Sequence, residues 1–460
     1  MTAQPALPAI ALDRASNRRY PDPQSASAKL YERATKVLPG GNSRITVFHS
    51  PYPVYASHAA GSRVWDADGT ERIDFINNLS SLVHGHNHPR IVKAIQAQAA
   101  TLASMSMPTE REIELAEIIT ERVPGVERIR FTNSGTEGVM MAIKTARAFT
   151  GRSKIAKIEG AYHGGDDSVA VSVAPTPDRW GPDDAPASVP SPGTGAGAAS
   201  DTIVLPMNQI EASRAIIRKH AHELAAVILD AVVKNLGYKE TTREFARMVR
   251  EETEKAGALL IFDEVYSFRL GYHGAQGELG VTPDLTALGK LIGGGLPVGA
   301  TGGKAHIMDS MYDPRSGAPK ISHGGTFNAN PMTMAAGIEA MKMWTEPEVA
   351  RLARLGDRLR AGLKEALKIA GVPGMVGGVA SMIAFFHADA AKPIETYRDV
   401  VAMLRNNPEA IRRRDAFFHH MLNSGIIMAS QGFFVLSTAH NEAEIDFLIE
   451  QALAALRKMN

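Results

Sequence analysis

The chain has 460 residues, of which 44% are hydrophobic and 22% are charged, and its formal net charge at pH 7 is +1. This length favours two or three domains with a large core, and the near-neutral charge gives no reason to expect binding to nucleic acid or to membrane lipid. The sequence contains no cysteine, which excludes disulfides, thiolate catalysis and cysteine metal sites and agrees with the cytoplasmic location that we expect.

Residues 1–27 are predicted to form a flexible arm, because proline and small polar residues dominate this segment. Its apolar stretch, from Ala6 to Leu12, is short, broken by proline and not preceded by basic residues. We therefore expect no signal peptide, and no run in the chain has the apolar length that spans a bilayer.

Residues 28–75 are predicted to be the N-terminal part of a smaller domain. Helical periodicity over 28–37 stops at Pro39-Gly40-Gly41. Short alternating segments over 55–75, around an Asp-Ala-Asp-Gly turn, predict a β-meander.

Residues 76–340 are predicted to form a large α/β domain. Two segments with helical periodicity, 89–102 and 109–123, come first. Strands and helices then alternate, over 128–132, 135–149, 154–158, 225–229, 243–256 and 258–262. This rhythm predicts a mostly parallel sheet covered by helices, which binds ligands at the carboxyl ends of its strands.

Two further segments complete the predicted organisation. Residues 175–200 are rich in Pro, Gly, Ala and Ser and are predicted to be a surface insertion, because the alternation resumes after them. Residues 341–460 combine long amphipathic helices with the apolar segments 381–386 and 432–437. They predict a smaller α+β domain that the N-terminal segment completes.

The first candidate site segment is Asn133-Ser134-Gly135-Thr136-Glu137, which follows a predicted strand and opens a helix. The free N–H groups and the positive dipole end of a helix bind anions, and the hydroxyl groups of Ser134 and Thr136 add donors. Taken alone, the segment is better explained as an ordinary N-cap. A later glycine-rich loop, His323 to Pro331, would complete a phosphate cradle.

The second segment, Gly160-Ala161-Tyr162-His163-Gly164-Gly165, also follows a predicted strand. An aromatic side chain at the carboxyl end of a strand can lie flat on a planar ring, and the glycines permit a close approach. Taken alone, this segment is better explained as a glycine-rich turn with a core tyrosine.

The third segment, Leu260 to Val265, is an apolar strand that ends in a carboxylate. A buried Asp263 needs a cationic partner, and the protonated nitrogen of a planar ring is such a partner. Val265 is placed to pack against the other face of that ring. A carboxylate that caps the next element is an alternative of equal weight.

The fourth segment places Lys290 between an apolar strand end and a run of three glycines. A desolvated lysine has a lowered pKa, and its neutral amine forms imines with carbonyl compounds. A lysine in a loop is more commonly a surface charge, but the joint spacing with Asp263 favours the chemical role.

In this order, the segments resemble the class III aminotransferases, which belong to fold type I of the pyridoxal-phosphate enzymes. The resemblance covers about residues 30–460. It is densest in NSGTEGVMMAIKTARAFTGRSKI, GAYHGG, IFDEVYSFRLGYHGAQGELGVTPDLTALGKLIGGGLPVGATGG and HGGTFNANPMTMAAG.

The resemblance implies a role for each candidate residue. Lys290 would form the Schiff base with pyridoxal 5′-phosphate and carry the proton between Cα and C4′, while Asp263 would pair with the pyridine nitrogen. The other implied cofactor contacts are Ser134, Gly135, Thr136, Tyr162, His163, Val265 and, from the neighbouring subunit of a homodimer, Thr326.

The resemblance points to two branches of the class. The segment PTEREIELAEIITERVP is similar to glutamate-1-semialdehyde 2,1-aminomutase, and Gly40-Gly41-Asn42-Ser43-Arg44 is similar to the β-amino-acid aminotransferases. Arg44 would bind a substrate carboxylate in a bidentate manner, and a surface salt bridge is an equal alternative.

Two departures from the family concern the substrate. Gln431 stands where many members carry an arginine for the α-carboxylate. The loop after Leu229, which includes Val232, lacks the usual Glu-Pro opening. We include Val232 and Gln431 with Arg44 as candidate substrate contacts.

We therefore expect a transaminase that moves an amino group from an amine or β-amino acid to a keto acid. The alternatives are an intramolecular aminomutase and a non-catalytic scaffold that binds the cofactor. We expect no metal site, because the neighbouring histidines 84, 86 and 88 have no acidic or cysteine partners arranged around them in the sequence.

Overall fold

The computed structural model describes residues 19–317, 319–389, 393–405 and 407–459. Of the predicted arm, residues 1–18 lie outside the described residues. The described end of the arm makes defined contacts: the hydroxyl of buried Tyr20 donates to the carbonyl of Tyr52, 2.7 Å away. The side chain of Ser25 then caps the helix that begins at Ala26.

The β-strands, in chain order, are β1 (Ala56–Ala60), β2 (Arg63–Asp66), β3 (Glu71–Asp74), β4 (Arg128–Thr132), β5 (Lys154–Ile158), β6 (Thr202–Leu205), β7 (Leu224–Asp230), β8 (Val232–Val233), β9 (Lys239–Glu240), β10 (Leu259–Asp263), β11 (Leu285–Gly289), β12 (Gly299–Gly303), β13 (Met375–Val379), β14 (Met382–Phe386), β15 (Ile426–Ile427) and β16 (Phe433–Val435).

The α-helices, in chain order, are α1 (Ala26–Thr35), α2 (Pro89–Thr101), α3 (Glu110–Arg122), α4 (Gly135–Thr150), α5 (Ala196–Asp201), α6 (Ile210–Lys219), α7 (Arg243–Ala256), α8 (Gly274–Leu279), α9 (Ala305–Tyr312), α10 (Pro331–Met343), α11 (Glu346–Ala370), α12 (Tyr397–Leu404), α13 (Pro408–Asn423) and α14 (Glu442–Leu456). Among the described helices, none combines the length and the apolar content that crossing a bilayer requires.

The chain divides into two compact units. The terminal unit consists of the described residues of segments 1–88, 350–391 and 403–460, and the central unit consists of those of 89–349 and 392–402. The predicted domain boundaries, 75/76 and 340/341, stay predictions.

The central unit is built around a seven-stranded sheet with the order β4-β12-β11-β10-β7-β5-β6. Only β12 runs antiparallel to its neighbours within this sheet. Alternate residues of each strand pack on opposite faces: Leu260 and Phe262 join the core formed with α6 and α7, whereas Ile261 joins the core formed with α4 and α9. The predicted α/β fold with a mostly parallel sheet is confirmed.

Strand β12 was not predicted, because its sequence, Gly-Ala-Thr-Gly-Gly, has little preference for a strand. The structure shows why glycine is required there. A Cβ atom at Gly299 would collide with the carbonyl oxygen of Ser134, and one at Gly303 would lie 2.6 Å from the carbonyl oxygen of Asp284. The glycines therefore allow β12 to approach its neighbours closely.

The terminal unit has two small sheets, β1-β2-β3-β15 and β13-β14-β16. The first sheet combines both ends of the chain, because β15 pairs in parallel with β3. Helices α13 and α14 belong to the same unit, so the predicted smaller α+β fold from both termini is confirmed.

A buried histidine in the terminal unit gives a prediction about acid stability. His387 is 2% exposed, and neither ring nitrogen has a hydrogen-bond partner among the described residues. Burial lowers the pKa of His387 to about 3, with a smaller contribution from the charge of Arg414. Because the pKa of a histidine in the unfolded chain is higher, about 6.5, only the unfolded state gains this proton as the pH falls below 6.5. The free energy of unfolding is therefore unaffected by His387 above about pH 6.5 and decreases as the pH falls from 6.5 towards 3.

We expect the variant His387→Leu to lose about 2 kcal/mol less stability than the natural chain between pH 7.5 and pH 5, since about 1.4 kcal/mol accompanies each pH unit below 6.5. Denaturant unfolding at both pH values measures this difference. The exposed His58 supplies the control variant, His58→Gln, which should leave the pH dependence unchanged. Equal pH dependence for all three proteins would contradict the prediction.

Candidate active site

The candidate site lies at the carboxyl ends of the strands in the central sheet. Strand β10 ends at Asp263, β11 is followed at once by Lys290, and the loop that carries His163 follows β5. Because these three strands are parallel, their carboxyl ends meet at one edge of the sheet. The fold thus brings together residues that are far apart in the sequence.

Asp263 is buried and held in place by three contacts. Its Oδ2 accepts a hydrogen bond of 2.8 Å from Nδ1 of His163, and its Oδ1 accepts one of 3.0 Å from the backbone N–H of Val265. The hydroxyl of Ser267 donates to the carbonyl of Asp263, 3.2 Å away. The carboxylate is therefore fixed before any ligand binds.

A second carboxylate, Asp230, lies beside the first. It ends β7 and pairs in register with Asp263 at the end of the neighbouring strand β10, and its Oδ2 is 3.8 Å from Nδ1 of His163. Burial raises the pKa of Asp230 well above its usual range, and the charge of Asp263 raises it further. Among the described residues, only His163 comes within ion-pair distance of either carboxylate.

Lys290 adopts a left-handed backbone conformation with φ of 49°. Burial lowers the pKa of its amine, and this effect outweighs the charges of Asp263 and Asp230, which raise it. The amine nitrogen lies 4.9 Å from the ring centroid of Tyr266. A lowered pKa increases the fraction of neutral amine, which is the form that attacks a carbonyl carbon.

The N-terminus of α4 offers N–H donors in the same unit that are unpaired among the described residues. The first N–H groups of a helix have no intrahelical acceptor, and the Oγ of Ser134 accepts only that of Glu137. The N–H groups of Gly135 and Thr136 therefore remain directed away from the helix, where the helix dipole favours negative charge.

Close packing around this helix end depends on glycine. A Cβ atom at Gly135 would lie 2.5 Å from Cγ1 of Val265, and one at Gly164 would lie 2.6 Å from Oγ1 of Thr136. The loop after β5, the segment after β10 and the helix end thus converge on one small region. Val265 is partly buried and packs against the core of this unit.

Two predicted cofactor contacts are exposed. Tyr162 has 62% of its surface exposed, so its ring is accessible at the site. Thr326 is also exposed, on the loop that precedes α10. That loop is joined to the end of β4, because Nδ2 of Asn133 donates to Oδ1 of Asn328, 2.9 Å away.

The three candidate substrate contacts occupy different surroundings. Arg44 is exposed in the terminal unit, where its Nη1 donates to Oδ1 of Asn78, 2.7 Å away. Gln431 is also exposed in that unit and donates to the hydroxyl of Ser430 at 3.1 Å. Val232 is 2% exposed within the central unit, where β8 pairs with β9.

Asp230 and Tyr266 also lie at the site but were not predicted from the sequence as site residues. Asp230 could have been found, because it ends an apolar strand in the same way as Asp263. Tyr266 could not, because only the folded chain places its ring beneath the amine of Lys290. The hydroxyl of Tyr266 is 2.7 Å from that of the buried Tyr238, which holds the ring in position.

The donor set fits pyridoxal phosphate. The paired buried carboxylates lack a lysine or arginine at ion-pair distance among the described residues, and a protonated ring nitrogen supplies a positive charge of that kind. The helix N-terminus suits a phosphate, and the Lys290 amine suits an aldehyde. Nε2 of His163 is buried without a partner among the described residues.

The same region also contains a set of possible metal ligands. One ligand atom each from His163, Asp230 and Asp263 lies within 4.8 Å of the others. A metal ion bound there would compete with a cationic ring for the same carboxylates. Metal content is therefore a necessary control in any binding experiment on this site.

Comparison with known proteins shows the family. The family model described as aminotransferase class-III matches residues 45–457. The glutamate-1-semialdehyde 2,1-aminomutase 2 of Bacillus licheniformis is 38% identical over 439 residues, which cover 93% of this chain and 96% of that protein.

Solved structures of transaminases are also similar to this chain. An omega-transaminase from Sphaerobacter thermophilus superposes with a TM-score of 0.91 at 46% identity, covering 96% of this chain and 99% of that one. A β-phenylalanine aminotransferase from Variovorax paradoxus has a TM-score of 0.82 at 35% identity, covering 94% and 93%. The resemblance found in the sequence is confirmed, and this chain belongs to the class-III aminotransferases.

Proposed function

We propose that this protein is a pyridoxal-phosphate-dependent transaminase that moves an amino group from an amine or a β-amino acid to a keto acid. The observation that carries the proposal is the meeting of Lys290, the His163-bonded Asp263 and the anion-binding start of α4 at one edge of the central sheet. Membership of the class-III aminotransferases supports both the reaction and the cofactor.

The residues of the chain divide the work. The bound cofactor supplies an electron sink for the substrate carbanion. Lys290 would hold the cofactor covalently, and its neutral amine, when free, would take the proton from the substrate Cα. Asp263 keeps the pyridine nitrogen protonated, and His163 orients Asp263 through its 2.8 Å hydrogen bond.

Other residues hold the cofactor in place. Gly135 and Thr136 bind the phosphate through the N-terminus of α4, together with Ser134. The exposed ring of Tyr162 would stack on one face of the cofactor, and Val265 would pack on the other face.

A transaminase requires two substrates, an amino donor and a keto acceptor. Amines and β-amino acids, each paired with pyruvate or 2-oxoglutarate, should be converted only when both donor and acceptor are present. Formation of the keto product and the spectrum of the cofactor follow the reaction. The purified protein should be analysed for metal and assayed with added chelator, because His163 and the two carboxylates are possible metal ligands. Loss of turnover on chelation would reject the proposal.

A second candidate is an intramolecular aminomutase, because the relative from Bacillus licheniformis carries that name. Such an enzyme returns the amino group to the same carbon skeleton and needs no separate keto acceptor. Turnover of a single substrate without any acceptor would favour the mutase. The other alternative, a non-catalytic scaffold, would bind the cofactor and show no turnover with any pair.

Arg44 provides a test of the substrate class. We propose that its guanidinium binds the carboxylate of a β-amino acid, as the resemblance implies. The variant Arg44→Ala should raise KM for β-amino acids by about 10-fold to 100-fold, the loss expected for a charge-assisted bidentate bond. It should leave KM for amines without a carboxylate unchanged.

Steady-state kinetics with one β-amino acid and the matching amine measures this selectivity, and Gln431→Ala serves as the companion variant. Equal KM changes for the two donors in Arg44→Ala would contradict the proposal that Arg44 binds the substrate carboxylate. Val232 is the least suited of the three candidates to touch a substrate, because its side chain is buried within its own unit.

We also propose that the protein forms a homodimer and that Thr326 binds the phosphate of the neighbouring subunit. Two apolar side chains are exposed in the single chain: Phe327, next to Thr326, at 60% and Met107 at 65%. Their two segments are joined within the central unit, since Nδ2 of Asn330 donates to the carbonyl of Ala103 at 3.0 Å. Light scattering measures the mass in solution. The cytoplasmic location stays a prediction.

A further inference from the structure

Lys157 is a fully buried lysine within the central sheet. It lies on β5, which pairs with β6 on one side and β7 on the other, and its exposed fraction is 0%. Its amine donates to three carbonyl oxygens, those of Ile158 at 3.2 Å, Ala161 at 2.9 Å and Val171 at 2.8 Å. The three N–H bonds of the ammonium group are thus all used.

This arrangement is costly for a charged group. Among the described ion pairs, none includes Lys157, although burying an ammonium group away from a carboxylate is strongly unfavourable. Burial lowers the pKa of Lys157 to about 7, against the opposing charges of Asp230 and Glu159. An apolar side chain would avoid this cost, so the carbonyl contacts need a reason beyond filling the core.

The three carbonyls belong to the base of the loop that carries Tyr162 and His163. Ile158 ends β5, Ala161 immediately precedes Tyr162, and Val171 lies on the chain that returns from the loop. The loop itself has no helix or strand.

Backbone conformation alone does not fix this loop. Gly160 and Gly164 have φ values of 79° and 97°, which glycine adopts without strain but which leave the chain many alternatives. Lys157 supplies three of the bonds that hold the base of this loop, beside those from the N–H of Gly160 to the carbonyl of Ser172 and from Nδ2 of Asn235 to the carbonyl of Gly160.

We propose that Lys157 is a positioning residue for the cofactor ring: by holding the carbonyls of Ile158, Ala161 and Val171, it fixes the loop that presents Tyr162 and His163. The inference rests on the proposed function, because it assigns the loop to the ring of pyridoxal phosphate. Lys157 itself touches neither Tyr162 nor the carboxylates through any hydrogen bond described above.

The chain offers a matched control for removing such a lysine. Nη1 of Arg152 also donates to three carbonyls in the central unit, those of Ala221 at 3.2 Å, Leu224 at 3.1 Å and Ala256 at 2.7 Å. These groups lie at the amino ends of β7 and β10, away from the candidate site. Lys157→Met and Arg152→Met thus remove equivalent sets of bonds at opposite ends of the sheet.

Three quantities should be measured for the natural protein and both variants: the dissociation constant of pyridoxal phosphate, the visible absorption and dichroism of the bound cofactor, and hydrogen exchange of residues 158–171 without cofactor. We expect Lys157→Met to weaken cofactor binding by about 10-fold or more, to change the dichroism and to speed exchange. Arg152→Met should change binding by less than about 3-fold, even if both variants lose similar thermal stability.

Equal effects of the two variants on cofactor binding, or unchanged binding and dichroism in Lys157→Met, would overturn the inference and leave Lys157 with a merely structural role. If the natural protein binds no cofactor, the proposed function fails instead, and the inference fails with it. If Lys157→Met does not fold, Lys157→Gln replaces it. Its amide can donate to two carbonyls, so it should still weaken binding more than Arg152→Met does.

Discussion

Replacement of Lys290 by alanine should reduce transamination by about 10⁴-fold or more, because the variant loses both the covalent link to the cofactor and the base that takes the substrate proton. The phosphate and ring contacts remain, so cofactor should still bind. Single-turnover kinetics and the absorption of the lysine-bound cofactor measure the two effects separately. The absorption typical of a lysine imine should be missing even when cofactor is present in excess.

Two other lysines with lowered pKa values allow a test of whether the cofactor adduct is specific to Lys290. Burial lowers the pKa of Lys157 and of Lys234 as well as that of Lys290. Borohydride reduction followed by peptide mass analysis should place the cofactor on residue 290 alone. Lys234→Ala, the control variant, should still form the reducible adduct. Full turnover in Lys290→Ala, or an adduct on another lysine, would reject the central role of Lys290.

Replacement of Asp263 by asparagine should lower kcat by about 100-fold to 1000-fold, the loss typical when an active site loses a preorganised electrostatic partner. An amide cannot keep a pyridine nitrogen protonated, and His163 would also lose its carboxylate acceptor. The steady-state kcat and the pH dependence of cofactor absorption report the change. Binding of the phosphate group should be little affected, since α4 is untouched.

Asp230 is the matched control for Asp263, because the two residues pair across adjacent strands. Burial and the neighbouring charge raise the pKa of Asp230, so the fold disfavours its charged form, and asparagine resembles the uncharged form. Asp230→Asn should therefore lower kcat by less than about 10-fold. The opposite ranking of the two variants would show that Asp230, and not Asp263, serves the ring nitrogen.

Most of the central sheet could be predicted from the sequence, because its strands are apolar runs set between amphipathic helices. The bounds of β4 and β5, Arg128–Thr132 and Lys154–Ile158, agree with the prediction residue by residue. Strand β12 was missed because close packing, not strand propensity, selects its glycines. Periodicity rules depend on side chains, so they do not detect a strand made mainly of glycines that let the neighbouring backbone approach closely.

The candidate site was predictable where one local signal marked the residue. A carboxylate after an apolar strand identified Asp263, and a lysine before a glycine run identified Lys290, and the fold brings both to the same sheet edge. Lys157 and Tyr266 were missed because their importance arises from tertiary contacts. In the sequence, Lys157 is one of two lysines in a short strand, and nothing local distinguishes it from Lys154. The catalytic roles of Lys290 and Asp263 and the positioning role of Lys157 stay predictions.

The register between β7 and β10 has a consequence for the protein without its cofactor. Since backbone pairing fixes Asp230 beside Asp263, the cost of burying two carboxyl groups side by side is present as soon as the chain has folded. A cationic ring offsets this cost. Binding of the coenzyme should therefore raise the free energy of unfolding above that of the protein without coenzyme. Vitamin B6 shortage should therefore leave a population of this protein that unfolds more readily and is degraded sooner.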